Sequence, residues 1–274
     1  MLINFTKMHG LGNDFMVVDT IVQSLNIEDL NIPQLAERHL GIGFDQLLVV
    51  QPPKHREADF DYRIFNADGS EVENCGNGAR CFAKYVREQG LTWKSSIVVN
   101  TKGGLITLQC DSDGGYTVNM GVPRWEPEDL PINAKERMAF YDLGIDNLQG
   151  ACVSMGNPHC VIRVDSVEKA EVNRIGAFLN QSSLFPEGVN VGFMEILSTK
   201  AVKLRVYERG VGETQACGTG ACAAAAIART QGLSEMDVTV HLRGGDLQIR
   251  YASEQEVLLM KGPATTVFQG QIDI

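Results

Sequence analysis

RIFNADGSEVENCGNGARCFAKYVREQGL, residues 63–91, returns as RVYERGVGETQACGTGACAAAAIARTQGL, residues 205–233. Laid over one another without a gap, at an offset of 142, the stretches agree at Arg63, Glu71, Cys75, Gly76, Gly78, Ala79, Ala83, Arg87, Gln89, Gly90 and Leu91, eleven of 29 positions. Chance would supply about two. Further blocks follow in the same order on both sides. Gly12-Asn13 matches Gly156-Asn157, Gly43-Phe44 matches Gly192-Phe193, VNTKGG at 99–104 matches VHLRGG at 240–245, and VNMGVP at 118–123 resembles LLMKGPA at 258–264. An ordered series of matches means a duplicated domain rather than two glycine-rich loops alike by accident. Residues 1–123 form the expected first lobe and 124–264 the second, which takes in a connecting segment rich in Pro, Glu and Asp at about 124–148.

The repeat also fixes the local structure to expect. After Cys75, Ala79, Phe82, Ala83 and Val86 fall at helical spacing, with Gly90 at a C-terminal cap position; after Cys217, Ala221, Ala224, Ala225 and Ala228 do the same, and Gly232 closes the run. Each cysteine therefore opens a helix. β-Branched and aromatic runs at 62–65 and 203–207 precede the helices, runs at 96–99 and 238–240 follow them, and 46–50 and 160–164 read as further strands. A helix as rich in alanine as 221–228 has almost no polar face, so it should lie fully buried. The expected fold class is α+β: two pseudo-symmetric lobes, each a curled, mostly antiparallel sheet wrapped around a central helix, with the active site in the cleft between them.

Composition limits what such a chain does. Its 274 residues suffice for two ordinary cores, and 44% hydrophobic with 21% charged residues is the balance of a globular protein. No apolar stretch approaches a membrane span. The opening MLINFTKMHGLGNDF lacks the parts of a secretory leader, so a reducing, cytoplasmic setting is expected. Net charge is −10 and the basic residues are scattered, which argues against nucleic acid as a partner. Seven cysteines without a C-x-x-C pair suggest neither a disulfide framework nor a zinc site.

Only Cys75 and Cys217 are duplicated; Cys81, Cys110, Cys152, Cys160 and Cys222 read as small buried apolar residues. A helix N-terminus favours a thiolate and should lower the thiol pKa, and the glycines after each cysteine let a carboxylate approach backbone N–H groups. Two such sites suit removal of a proton from one face of an α-carbon and its delivery to the other, with both helix ends stabilising the developing charge. Asn13 and Asn157 share a Gly-Asn context, His159 is either a core histidine or a group that tunes a thiol, and Glu208-Arg209 align with Asn66-Ala67, where the lobes must differ in recognition. His9, His39, His55 and His241 have no metal-ligand spacing, and no lysine stands out as a pyridoxal site. A thiol redox protein and a non-catalytic binding protein remain open on these grounds.

The chain resembles the diaminopimelate epimerases over essentially its whole length. The likeness is carried by KMHGLGNDF (7–15), GIGFDQLLV (41–49), RIFNADGSEVENCGNGARC (63–81), SMGNPHCV (154–161), GVNVGFM (188–194) and YERGVGETQACGTGACA (207–223). It implies a pyridoxal-independent epimerase without cofactor or metal that interconverts LL- and meso-diaminopimelate, a small diamino dicarboxylic acid, on the way to lysine and peptidoglycan. Cys75 and Cys217 would be the acid/base pair, with His159 and Glu208 tuning their protonation. Gly76, Asn77, Gly218 and Thr219 would hold the reacting carboxylate through backbone N–H groups, Thr219 standing where some members have Ser. Asn13, Gln46, Asn66, Asn157, Asn190, Glu208 and Arg209 would hold the remaining amino-acid groups. The resemblance also implies lobe closure, a homodimer, and a last segment, 265–274, that completes the first lobe. Proline racemase and hydroxyproline epimerase are related alternatives, but a cyclic substrate leaves Asn190, Glu208 and Arg209 unexplained.

Overall fold

The computed structural model describes every residue except Asn74. The chain divides into two compact units, Met1–Asn119 with Lys261–Ile274, and Met120–Met260. In the first, β1 (Leu2–Gly10) and β2 (Asn13–Asp19) form a hairpin, a short helix α1 (Ile32–Ala36) leads to β3 (Gln46–Gln51) and β4 (Phe60–Asn66), and the two-residue β5 (Glu71–Val72) precedes α2 (Gly76–Glu88). β6 (Ser96–Thr101), β7 (Gly104–Cys110) and β8 (Tyr116–Asn119) follow. The second unit repeats the order after a short β9 (Tyr141–Asp142): the hairpin β10 (Gln149–Ser154) and β11 (Pro158–Arg163), α3 (Val172–Leu179), β12 (Asn190–Ser198), β13 (Ala201–Glu208), the two-residue β14 (Gly212–Glu213), α4 (Gly218–Thr230), β15 (Asp237–Leu242) and β16 (Gly245–Arg250). β17 (Leu259–Gly262) then leads to β18 (Thr265–Asp273), which pairs antiparallel with β1.

Pairing is the same in both copies. β2 runs parallel to β3 as β11 does to β12, β3–β4 and β12–β13 are antiparallel, and the strand across each cysteine helix is parallel, β4 with β6 and β13 with β15. That parallel pairing is what the helix is for: a crossover between parallel strands needs a long connection, and α2 and α4 provide it. α2 packs on β1, β2, β3, β7 and β8; α4 packs on β10 to β13, β15 and β16. Ala221 to Ala228 are all buried, as a helix without a polar face requires. Both helices end on glycine in left-handed backbone, Gly90 at φ 67° and Gly232 at φ 70°, with the next amides, Leu91 and Leu233, donating back to Val86 and Ala228.

Two expectations change. The strand ladders place Gln46 opposite Phe15 and Asn190 opposite His159, so Gln46 corresponds to Asn190 and the match of Gly43-Phe44 to Gly192-Phe193 does not hold. Small residues before a hydrophobic run resemble one another wherever they fall; residues 20–45 and 164–189 are connections of equal length, so the copies stay in step here and the Gly-Phe match is out of register. The segment at 124–148 is more than a connection: Leu130, Ile132, Tyr141 and Leu143 are buried in the second unit's core with Ile162, Ile175 and Phe193.

Candidate active site

In each unit the cysteine is itself the helix N-cap. Cys75 and Cys217 have extended backbone, and their sulfurs accept from the amides three residues on, Gly78 at 3.3 Å and Gly220 at 3.4 Å. The first turn of a helix offers N–H groups the helix does not use, so Gly76-Asn77 and Gly218-Thr219 begin a positively polarised end beside each sulfur. The glycine at the third position has a packing reason as well. A Cβ on Gly78 would lie 2.5 Å from Tyr62 Oη, and one on Gly220 3.0 Å from Val206 Cγ2 and 3.2 Å from Cys217 Sγ.

In the first unit the hairpin β1–β2 and the ends of β3 and β4 bring amides together. Asn13 Oδ1 lies 3.7 Å from Cys75 Sγ and accepts from Asn77 Nδ2 at 3.4 Å. Gln46 and Asn66 are ladder partners, and Gln46 Nε2 donates to Asn66 Oδ1 at 2.9 Å. Asn66 Nδ2 in turn donates to Ser70 Oγ at 3.1 Å.

The second unit groups Asn157, His159, Asn190, Glu208, Arg209, Cys217 and Thr219. His159 is buried, with its Nε2 3.0 Å from Asn157 Oδ1, and Asn157 Nδ2 donates to Thr219 Oγ1 at 3.4 Å. Since Asn157 thereby presents its oxygen to the ring, His159 Nε2 is the donor. The Thr219 hydroxyl lies 3.6 Å from Cys217 Sγ; it can donate to the thiolate or accept from the thiol. Asn190 accepts from the Arg209 amide at 3.0 Å and donates to the Pro158 carbonyl at 3.0 Å, while Glu208 Oε1 accepts from Thr214 Oγ1 at 2.6 Å. Arg209 Nη1 donates to the Glu187 carbonyl at 3.1 Å.

The electrostatics correct the expectation of a depressed thiol pKa at Cys217. Burial pushes that thiol well above its usual range, and the Glu208 carboxylate adds to the rise; the Thr219 hydroxyl and Gly220 amide oppose it without winning. Helix polarity is a smaller effect than removing a thiolate from water. His159 is likewise pulled down to about 3, by burial first and then by the Arg209 charge, so it is a neutral imidazole.

Two residues and one side-chain group escaped the sequence reading: the Thr219 hydroxyl meets Cys217, Asp45 holds Asn13, and Arg80 holds Asn77. The only signal for Arg80 was a charge standing where the second copy has Cys222, inside a helix of small apolar residues.

The model of the diaminopimelate epimerase family matches residues 5–126 and 151–267. Proteins named diaminopimelate epimerase from Ectopseudomonas mendocina (strain ymp) and Stutzerimonas stutzeri (strain A1501) are each 52% identical over 274 residues, 99% of this chain and of each relative. Among solved structures, a phenazine biosynthesis protein of the PhzF family from Bacillus anthracis superposes with a TM-score of 0.73 at 20% identity over all of both chains. A hydroxyproline epimerase from Agrobacterium vitis does so at 0.70 and 16% over 99% of this chain and 92% of that one. At such identities these two likenesses establish the fold alone. With the family model spanning both copies of the repeat and full-length relatives above half identity, the chain belongs to the diaminopimelate epimerase family.

Proposed function

We propose that this protein interconverts LL- and meso-diaminopimelate by moving the α-proton between Cys75 and Cys217, without pyridoxal or metal. The observation that carries the reading is the duplicated N-cap cysteine, one sulfur at the start of each buried helix, in a chain of this family. One thiolate breaks the α-C–H bond and becomes a thiol; the opposite thiol gives its proton to the other face of the carbon and becomes the thiolate. Charge that builds on the α-carboxylate is met by the N–H groups of Gly76, Asn77, Gly218 and Thr219. The upward push on Cys217 supports a role as proton donor or as a strong base once ionised, since basicity rises with pKa.

Recognition of the substrate's amino-acid groups falls to Asn13, Gln46, Asn66, Asn157, Asn190, Glu208 and Arg209. An arginine suits a carboxylate, a glutamate suits an ammonium, and amides serve either. The neutral His159 tunes Cys217 through Asn157 and Thr219 rather than by charge. A homodimer in the cytoplasm completes the proposal; the exposed Leu2, Val267 and Phe268 on the β1–β18 pair support a second copy as the cover for that apolar surface. No helix among the described residues is long and apolar enough to cross a membrane.

The test is incubation of reduced protein with LL-diaminopimelate in D₂O without added pyridoxal phosphate. Meso product carrying deuterium at the inverted carbon is expected; folded protein that neither inverts nor exchanges would overturn the reading.

A further inference from the structure

Asn13 meets the Cys75 sulfur with its oxygen rather than its NH₂, and charged groups at both ends of one hydrogen-bonded chain dictate that choice. At one end Asp45 Oδ2 accepts from Asn13 Nδ2 at 2.9 Å and from the Asp14 amide at 3.1 Å. Asp45 Oδ1 accepts from Arg38 Nη2 at 2.8 Å, and the same guanidinium forks onto Asp14 with two contacts of 2.9 Å. A carboxylate accepts only, so the NH₂ of Asn13 faces Asp45 and its oxygen faces Cys75 and Asn77. At the other end Arg80 Nη2 donates to Asn77 Oδ1 at 2.9 Å. A guanidinium donates only, so the NH₂ of Asn77 faces Asn13. The two ends, argued separately, demand the same orientation of Asn13.

Arg80 is fully buried, and its Nε and Nη1 donate to the carbonyls of Pro263 and Gly76 at 3.1 and 3.4 Å. Burying a guanidinium costs several kcal/mol unless its donors are met, and the contacts with Pro263, Gly76 and Asn77 fix its position. The second copy has Thr219 for Asn77 and Cys222 for Arg80. A hydroxyl rotates to donate or accept and needs no cation to set it.

We propose that Asp45 and Arg80 are positioning residues that lock Asn13 Oδ1 onto Cys75, so that the first thiol faces an acceptor. The inference rests on Cys75 being one of the acid/base pair. An acceptor favours S–H over the thiolate, so releasing Asn13 to turn its NH₂ toward sulfur lowers the pH at which Cys75 ionises. Loss of the Arg80 charge by itself acts in the opposite sense. Tyr62 on β4 and Cys81 on α2 interact electrostatically with Cys75, and Arg80 acts on Cys81; burial raises Tyr62 well above its usual range and Cys81 to about 12, so neither titrates near neutrality.

The experiment is the pH profile of Cys75 alkylation by iodoacetamide without substrate, read by peptide mass spectrometry. Asp45→Asn removes the carboxylate that fixes the Asn13 NH₂ and puts in its place an amide that offers both a donor and an acceptor, leaving Arg80 as the charged anchor. Arg80→Met should then lower the midpoint by about one pH unit, a tenfold gain in thiolate, in the Asp45→Asn background and not in the wild type. Arg80→Lys in that background should restore it. Should Arg80→Met fail to fold, Asn77→Thr with Arg80→Cys copies residues that the second unit carries and takes its place. Equal shifts in both backgrounds, or none, overturn the proposal. Alkylation needs no substrate, so wild-type protein inactive on diaminopimelate would overturn the function and leave this test standing.

Discussion

At the scale of single residues, the two thiols differ in company more than in geometry. Cys217 is buried beside a carboxylate and faces a hydroxyl, whereas Cys75 faces an amide oxygen. Cys75→Ala and Cys217→Ala should each abolish inversion, which chiral chromatography of the product mixture would show. Thr219→Val removes the hydroxyl donor to sulfur but keeps the backbone amide; we expect kcat to fall about tenfold with KM nearly unchanged, and Thr219→Ser to recover it. His159 sets a pH dependence of stability. Its folded-state pKa of about 3 lies below the ordinary 6.5, so the stability tied to its neutral form is complete above 6.5 and drains away as pH falls toward 3. His159→Gln should flatten urea midpoints across that window by an amount on the order of a few kcal/mol. Motif residues such as Cys75 and Cys217 were legible because the chain prints them twice. The roles of Asp45 and Arg80 were not: Asp45 reaches Asn13 across 32 residues through the fold, and the i,i+3 contact of Asn77 with Arg80 gains its meaning only from the Asn13 contact beyond it.

At the scale of elements, the short ladder ahead of each cysteine helix is tied by a repeated ion pair. Arg63 forks onto Glu71 at 2.8 and 3.1 Å, and Arg205 onto Glu213 at 2.7 and 2.9 Å. The copies differ in burial: the Glu213 side chain is 9% exposed and also meets Arg243 at 3.1 Å, while that of Glu71 is 29% exposed. Glu213→Gln should therefore cost about 3 kcal/mol and Glu71→Gln about 1 kcal/mol in urea unfolding, since breaking a buried pair leaves a charge uncompensated. The third-position glycines make a second test. Gly78→Ala forces a methyl into Tyr62 Oη and should destabilise by about 1–3 kcal/mol. Helix limits could be read in advance because cysteine and glycine bracket both helices. The register of β12 could not, since the short Gly-Phe match stood five residues out of step with the ladder and carried no pairing information.

At the scale of the whole molecule, the first unit is discontinuous and the second is one uninterrupted stretch, 120–260. β18 closes the first unit by pairing along nearly all of β1, and the Met1 ammonium donates to Asp273 at 2.8 Å. Removing residues 265–274 strips β1 of that partner and leaves a bare edge beside the buried Ile3 and Phe5. Limited proteolysis of the shortened chain should spare a fragment near 120–260 and digest the rest. The duplication was plain from spaced matches along the chain; the closing strand was not, because β18 is mostly exposed and has no apolar period to announce it. The same arrangement orders events on the ribosome. Residues 1–119 are made before 120–260 yet lack their last strand until 261–274 follow, so the stretch made second is complete while the older one still waits for its closing strand.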